Sequence, residues 1–224
     1  MTRAVGGSLA SVQSSARGRQ MGPGDVIAPR ALTTVEGGSI NVPDREQLVH
    51  LQLRRFVGCP ICSLHLQSMV SRSDEITGAG IHPILVFHST AEEFQRHATR
   101  GLPFDVVADP DRRLYGEFGV EPSARALLDP RVWLPTMRAL SRTVWATLRK
   151  KQEVPPTRPH GGRLGLPADL LIAPDGRVIA SKYGSHAYDQ WSVDELLALV
   201  RPGAATTRVS RSKSAASRDR SPTT

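Results

Sequence analysis

The sequence predicts an α/β domain: a central mixed β-sheet flanked by helices, with a helical insert before the last β-hairpin. Three observations carry this expectation. Apolar runs of strand length alternate with stretches of helical period from about residue 40 to residue 120. Near the end, Ala173-Pro174-Asp175-Gly176 is a turn signal between two strand-like runs, which makes the sheet mixed rather than wholly parallel. The 224 residues, 39% of them apolar, suffice for one well-buried core but not for two comfortable ones.

Residues 1–21, rich in Ser, Gly and Arg, are expected to form a disordered N-terminal tail, and residues 22–201 the folded domain. Residues 40–42 read as a short extended piece after Gly37-Gly38. Residues 48–56 set Val49, Leu51 and Leu53 on one face, a period of two, and read as a strand. From Pro60 to about Ile76 the pattern is one helix, with Leu64, Met69 and Ile76 among its apolar positions and Gly78 and Gly80 ending it. Residues 81–87 form a second apolar strand.

Ser89, with Glu92 three residues on, reads as a capping box opening a helix that ends near Arg100-Gly101. Residues 104–107 are a third strand, stopped by Asp109-Pro110, and residues 111–118 a helix closed by Gly119. Residues 168–172 and 177–183 are the two arms of the hairpin. Ser192 and Glu195 introduce the last helix, over 193–200. Residues 202–224 are low-complexity, basic and expected to be disordered.

The formal charge of +8 sits at the ends. Residues 1–20 hold three arginines and no acid, residues 201–224 six basic groups against Asp219, and the stretch between them is balanced. No basic domain face for specific nucleic-acid binding is indicated. No apolar run approaches a membrane span, and the N-terminus lacks the apolar core of a signal peptide. The expected location is cytoplasmic.

The two cysteines stand three positions apart in Cys59-Pro60-Ile61-Cys62, which is no secreted disulfide framework. Cys59 falls where a strand ends and a helix begins. There the unpaired N–H groups and the positive end of the helix dipole favour thiolate, the nucleophilic form. Pro60 suits the first helical turn, where its missing N–H costs nothing. On this pattern Cys59 is the attacking sulfur and Cys62 the resolving one. Zinc is the competing use of such a pair, with His65 three residues on, but no second Cys-x-x-Cys supplies the remaining ligands. No cofactor is expected. Pro167, directly before the strand at 168–172, is the third candidate. A cis bond there would set it against the cysteines as a substrate-binding residue.

Three stretches carry a family resemblance: Gly24-Asp25-Val26-Ile27-Ala28-Pro29, the run from His50 to Cys62, and Asp109-Pro110 with Leu114-Tyr115 and Phe118-Gly119-Val120. From Gly22 to about Val200 the chain resembles a peroxiredoxin-like protein of the alkyl hydroperoxide reductase C / thiol-specific antioxidant (AhpC/TSA) redoxin family. The resemblance implies a thioredoxin-like fold and a redox-active Cys59. It departs at two positions. The family's Pro and Thr, seven and three residues before the reactive cysteine, are Gln52 and Phe56 here. Phe56 and Arg55 are therefore candidate substrate contacts, Arg54 or Arg55 being able to stabilise a thiolate while at least one of them is expected to be solvated.

Residues 121–162 exceed what the fold needs. Trp133, Met137, Leu140, Val144 and Leu148 recur at helical spacing beside a run of arginines and lysines. The expected function is a thiol-based antioxidant oxidoreductase that reduces a peroxide or a disulfide through Cys59 and Cys62. An external thiol reductant, thioredoxin-like or of low molecular weight, would regenerate it, and a homodimer stays open. The alternative is a non-catalytic redox-sensing or partner-binding module of the same fold.

Overall fold

A computed structural model of the protein describes residues 18–97, 101–120 and 165–201. The sheet is five-stranded and mixed, in the order β5-β4-β3-β6-β7. At its centre lies β3 (Leu48–Leu53), parallel to β4 (Ile81–Phe87) on one side and antiparallel to β6 (Ala168–Ile172) on the other. Outside them run β5 (Asp105–Ala108), parallel to β4, and β7 (Val178–Tyr183), antiparallel to β6. The near-continuous apolar run of β4 follows from its place: it has a strand on each side and a packed layer on each face.

Helices α1 (Pro60–Val70) and α2 (Ser73–Gly78) form the crossover between β3 and β4. Three more follow: α3 (Ala91–His97), α4 (Arg113–Glu117) and α5 (Val193–Val200). One face of the sheet packs Val49, Leu51, Leu53, Val86 and Leu170 against Tyr115 and Phe118. The other packs Leu85, Phe87 and Leu171 against Met69, Ile76 and Leu196.

Four details differ from the sequence reading. The helix expected over 60–76 is broken at Ser71-Arg72. The Arg72 N–H bonds to the Met69 carbonyl at 3.2 Å, tightening the last turn. The Arg72 guanidinium then reaches Glu75 at 2.7 Å and Asp194 of α5 at 2.8 Å. Among the described side chains of α1, Cys62, His65 and Met69 are buried, whereas Leu64 is half-buried. The cap of α3 is shifted by one residue: Thr90 Oγ1 accepts from Glu93 N, and Ser89 Oγ instead accepts from Val57 N at 3.0 Å. A strand absent from the reading, β1 (Arg30–Thr33), pairs with β2 (Ser39–Val42) as a separate hairpin.

The chain is also ordered earlier than the expected tail boundary. Gly18 N bonds to Gly116 O and Met21 N to the Tyr183 hydroxyl, at 2.8 and 2.7 Å. The capping box of α5 is present, with Ser192 Oγ accepting from Glu195 N and Glu195 accepting from Ser192 N. The amphipathic insert over 121–162, the end of the third helix near Arg100 and the tail over 202–224 lie outside the described residues. Among those described, no helix is long and apolar enough to cross a membrane.

Candidate active site

The loop between β3 and α1 places both cysteines. Gly58, with φ +79°, supplies the left-handed backbone that closes a tight turn, in which Cys59 N bonds to Phe56 O at 3.4 Å. Cys59 then caps α1, and its carbonyl accepts from Ser63 N at 3.0 Å. Cys62 follows in the first turn. Both are free thiols in hydrogen-bonding contact with each other, packed with Phe56 and Ala187. They are 2% and 5% exposed, and both line a largely apolar groove of about 250 Å³ with Phe56, Leu66, Phe87 and Leu102. Both residues are buried and both line the groove.

Beneath the pair, the polar face of β3 is wholly buried. His50, Gln52 and Arg54 are all 0% exposed, because α1 and the segment entering α5 cover them. His50 Nε2 lies 3.0 Å from Asp169 Oδ1 of β6, whose other oxygen accepts from Trp191 N at 3.2 Å. Gln52 Nε2 lies 3.2 Å from the His50 ring nitrogens, and Gln52 Oε1 accepts from Arg54 Nη1 at 2.6 Å. Arg54 Nη2 donates to the Cys62 carbonyl at 2.8 Å. Arg54 Nη1 also faces His65 Nδ1 at 3.2 Å, while His65 Nε2 donates to Trp191 O at 2.7 Å. This arrangement suits a neutral His65, whose pKa burial and the Arg54 charge lower to about 4. The Tyr115 hydroxyl, bonded to the Val86 and Arg54 carbonyls, ties β3 to β4 at this point.

The two thiols are coupled and shift in opposite directions. A hydrogen bond from the Cys59 thiol, the positive charges of Arg54 and Arg55 and the Arg55 backbone N–H outweigh burial and bring Cys62 down to about 6. Cys59 moves the other way: its hydrogen bond to Cys62, and then burial, raise it well above the usual thiol range, and Arg55 offsets this only in part. The hydrogen bond between the thiols lowers Cys62 and raises Cys59, the reverse of what the helix terminus alone favours. Two sulfurs in contact share one negative charge, and the cations favour the second.

Neither Arg54 nor Arg55 is solvated, contrary to the expectation for at least one of them. Arg55, 2% exposed, points Nη1 at Cys59 Sγ from 3.5 Å and stacks on the Phe56 ring at 5.5 Å. Phe56 walls the groove. Pro167 is placed differently. Among the described residues the cis bond is Val42–Pro43, so Leu166–Pro167 is trans. The Pro167 carbonyl accepts from Gly184 N at 2.9 Å. Asp169, Gln52 and His50 were missed as site residues. For His50 and Gln52 the signal was polar side chains alternating along the strand that runs into the Cys-x-x-Cys turn; Asp169 comes from β6 and carried no local signal.

A sequence profile of the family described as AhpC/TSA antioxidant enzyme matches residues 65–186, a stretch beginning just after Cys62. No curated relative matches the chain. Among solved structures, the fold is similar to peroxidoxin BcpB from Mycobacterium tuberculosis, with 16% identity, a TM-score of 0.55 and coverage of 81% of this chain and 97% of that one. It is also similar to a point mutant of peroxiredoxin 6 from Arenicola marina (14% identity, TM-score 0.54, 80% and 72% covered). Xanthomonas campestris peroxiredoxin Q is a third (15%, 0.52, 78% and 91%).

Proposed function

The chain belongs to the AhpC/TSA antioxidant enzyme family, and from that premise we propose that Cys59 and Cys62 are the redox couple with which it reduces a peroxide. The observation that carries the reading is two free cysteines packed together on a groove, with Arg55 3.5 Å from the Cys59 sulfur and Arg54 bonded to the Cys62 carbonyl. This reading exchanges the roles expected from the sequence. Cys62, ionised near neutral pH, attacks the terminal peroxide oxygen, breaking the O–O bond and becoming a sulfenic acid. Cys59, still protonated, gives its proton to the departing alkoxide. The Cys59 thiolate so formed attacks the Cys62 sulfur and expels hydroxide, leaving the intramolecular disulfide. An external thiol, a small molecule or a thioredoxin-like protein, returns two electrons, which fits a cytoplasmic setting.

Arg55 lies close enough to Cys59 to orient the peroxide, a task the family's hydroxyl cannot perform here because Phe56 holds its position. A disulfide substrate is the second reading, favoured by that same missing hydroxyl and by the vicinal cysteines.

The test treats the anaerobically reduced protein with one equivalent of hydrogen peroxide or of a model disulfide and maps the thiols by mass spectrometry. Loss of both thiols to a Cys59–Cys62 linkage is expected with peroxide. The Cys59→Ser variant should instead accumulate a trappable sulfenic acid on Cys62. Thiols that survive both oxidants would sink the reading and favour a non-catalytic module.

A further inference from the structure

The Arg54 guanidinium is a cation with almost nowhere to put its charge. It is 0% exposed, and its hydrogen bonds go to neutral groups: the Gln52 amide, the His65 ring and the Cys62 carbonyl. The Phe87 ring lies 6.0 Å from it. The titratable groups that act on it are Cys62, Asp169, Cys59 and Tyr115, in that order, against a strong burial penalty. Of these, Asp169 is already engaged by His50 and Trp191 N, and Tyr115 donates its proton to two carbonyls. A buried charge that loses its compensating partner destabilises the state in which the loss occurs.

We propose that Arg54 is a positioning residue whose main counter-charge is the dithiol's own thiolate, so that disulfide formation strands a buried cation and the couple is poised toward its reduced form. This rests on Cys59 and Cys62 being the redox couple. The chemistry is explicit. One thiol and one thiolate lose two electrons and one proton to form the S–S bond, and with glutathione disulfide as acceptor the products are two glutathione molecules, one as thiolate. The protein loses its local negative charge while Arg54 stays charged and buried, so each oxidation removes the thiolate that offsets it. A couple whose reduced form is stabilised in this way is the more oxidising one. It accepts electrons readily from a small thiol, which suits an enzyme that must be re-reduced after every turnover. Gln52 holds the guanidinium in place, and Asp169 competes with the thiolate for it.

The test equilibrates the full-length protein in glutathione buffers and reads the Cys59–Cys62 disulfide fraction. Arg54→Met should shift the equilibrium at least tenfold toward disulfide, about 30 mV more reducing, and Arg54→Lys should restore most of the wild-type value. Asp169→Asn, which keeps the shape but removes the competing anion, should shift it in the opposite direction. A purely structural role would move both variants the same way. An unchanged equilibrium in Arg54→Met, or shifts of the same sign in Arg54→Met and Asp169→Asn, overturns the proposal. Should Arg54→Met fail to fold, the sign of the Asp169→Asn shift decides alone. A wild-type protein that forms no Cys59–Cys62 disulfide in any mixture overturns both this inference and the redox-couple reading. A disulfide that forms with an unaltered equilibrium in the variants overturns only this one.

Discussion

The two faces of β3 are equally buried and do opposite work. Val49, Leu51 and Leu53 face one core at 0–1% exposure and supply apolar packing. His50, Gln52 and Arg54, interleaved with them at 0% exposure, supply a polar network under the cysteines. Burial stabilises the first face directly. On the second it is unfavourable unless every group is partnered, and what it provides is a low-dielectric setting in which one guanidinium shifts a thiol strongly. One strand thus separates stability from reactivity by alternating its side chains.

That separation is open to attack by substitution. The largest expected effect is on the apolar face. Leu51→Ala should destabilise the fold by about 2–5 kcal/mol, read by urea unfolding, while the ionisation midpoint of Cys62 in the folded protein stays near 6. Next comes the polar face. Gln52→Leu removes a hydrogen bond to a buried charge, a loss of about 1.5–3 kcal/mol, and unlike Leu51→Ala it should also raise the Cys62 midpoint, read by thiol alkylation against pH.

A smaller and reversible effect separates the two faces through pH. Cys62 ionises below its usual 9, so its contribution to stability is full above 9 and is lost as pH falls through about 6. Cys59 is raised, so above 9 the unfolded chain ionises it more readily and stability declines again. His65, lowered from 6.5 to about 4, adds a further decline as pH falls between those values. The reduced protein should therefore be most stable near pH 8–9, and the oxidised protein should show neither thiol limb when melting is followed across pH. The smallest effect belongs away from both faces. Ser192→Ala removes the α5 cap at a cost of about 1 kcal/mol and should leave the thiol midpoint unmoved.

The succession of strands and helices, the mixed sheet and the closing hairpin were legible in the sequence, because period-two runs and a Pro-Asp-Gly turn are local signals. The break at Ser71-Arg72 was not: no Gly or Pro marks it, and the Arg72 contact to Asp194 that accompanies it spans 122 residues. Cys59, Cys62, Arg55 and Phe56 were found as a contiguous segment, and the structure brings them together. Which sulfur carries the charge was hidden for a different reason. The helix terminus favours Cys59, but the hydrogen bond between the thiols and then the buried charges of Arg54 and Arg55 lower Cys62, and neither the contact nor the burial is visible in the sequence. Asp169 is 119 residues from His50, and only the β3–β6 pairing joins them.

The most direct measurement is the rate of alkylation of each cysteine in the reduced protein as a function of pH, resolved by peptide mass spectrometry. Cys62 should react with a midpoint near 6 while Cys59 stays unmodified well past neutrality. A midpoint near 9 for Cys62, or earlier modification of Cys59, would refute the assignment of the charge.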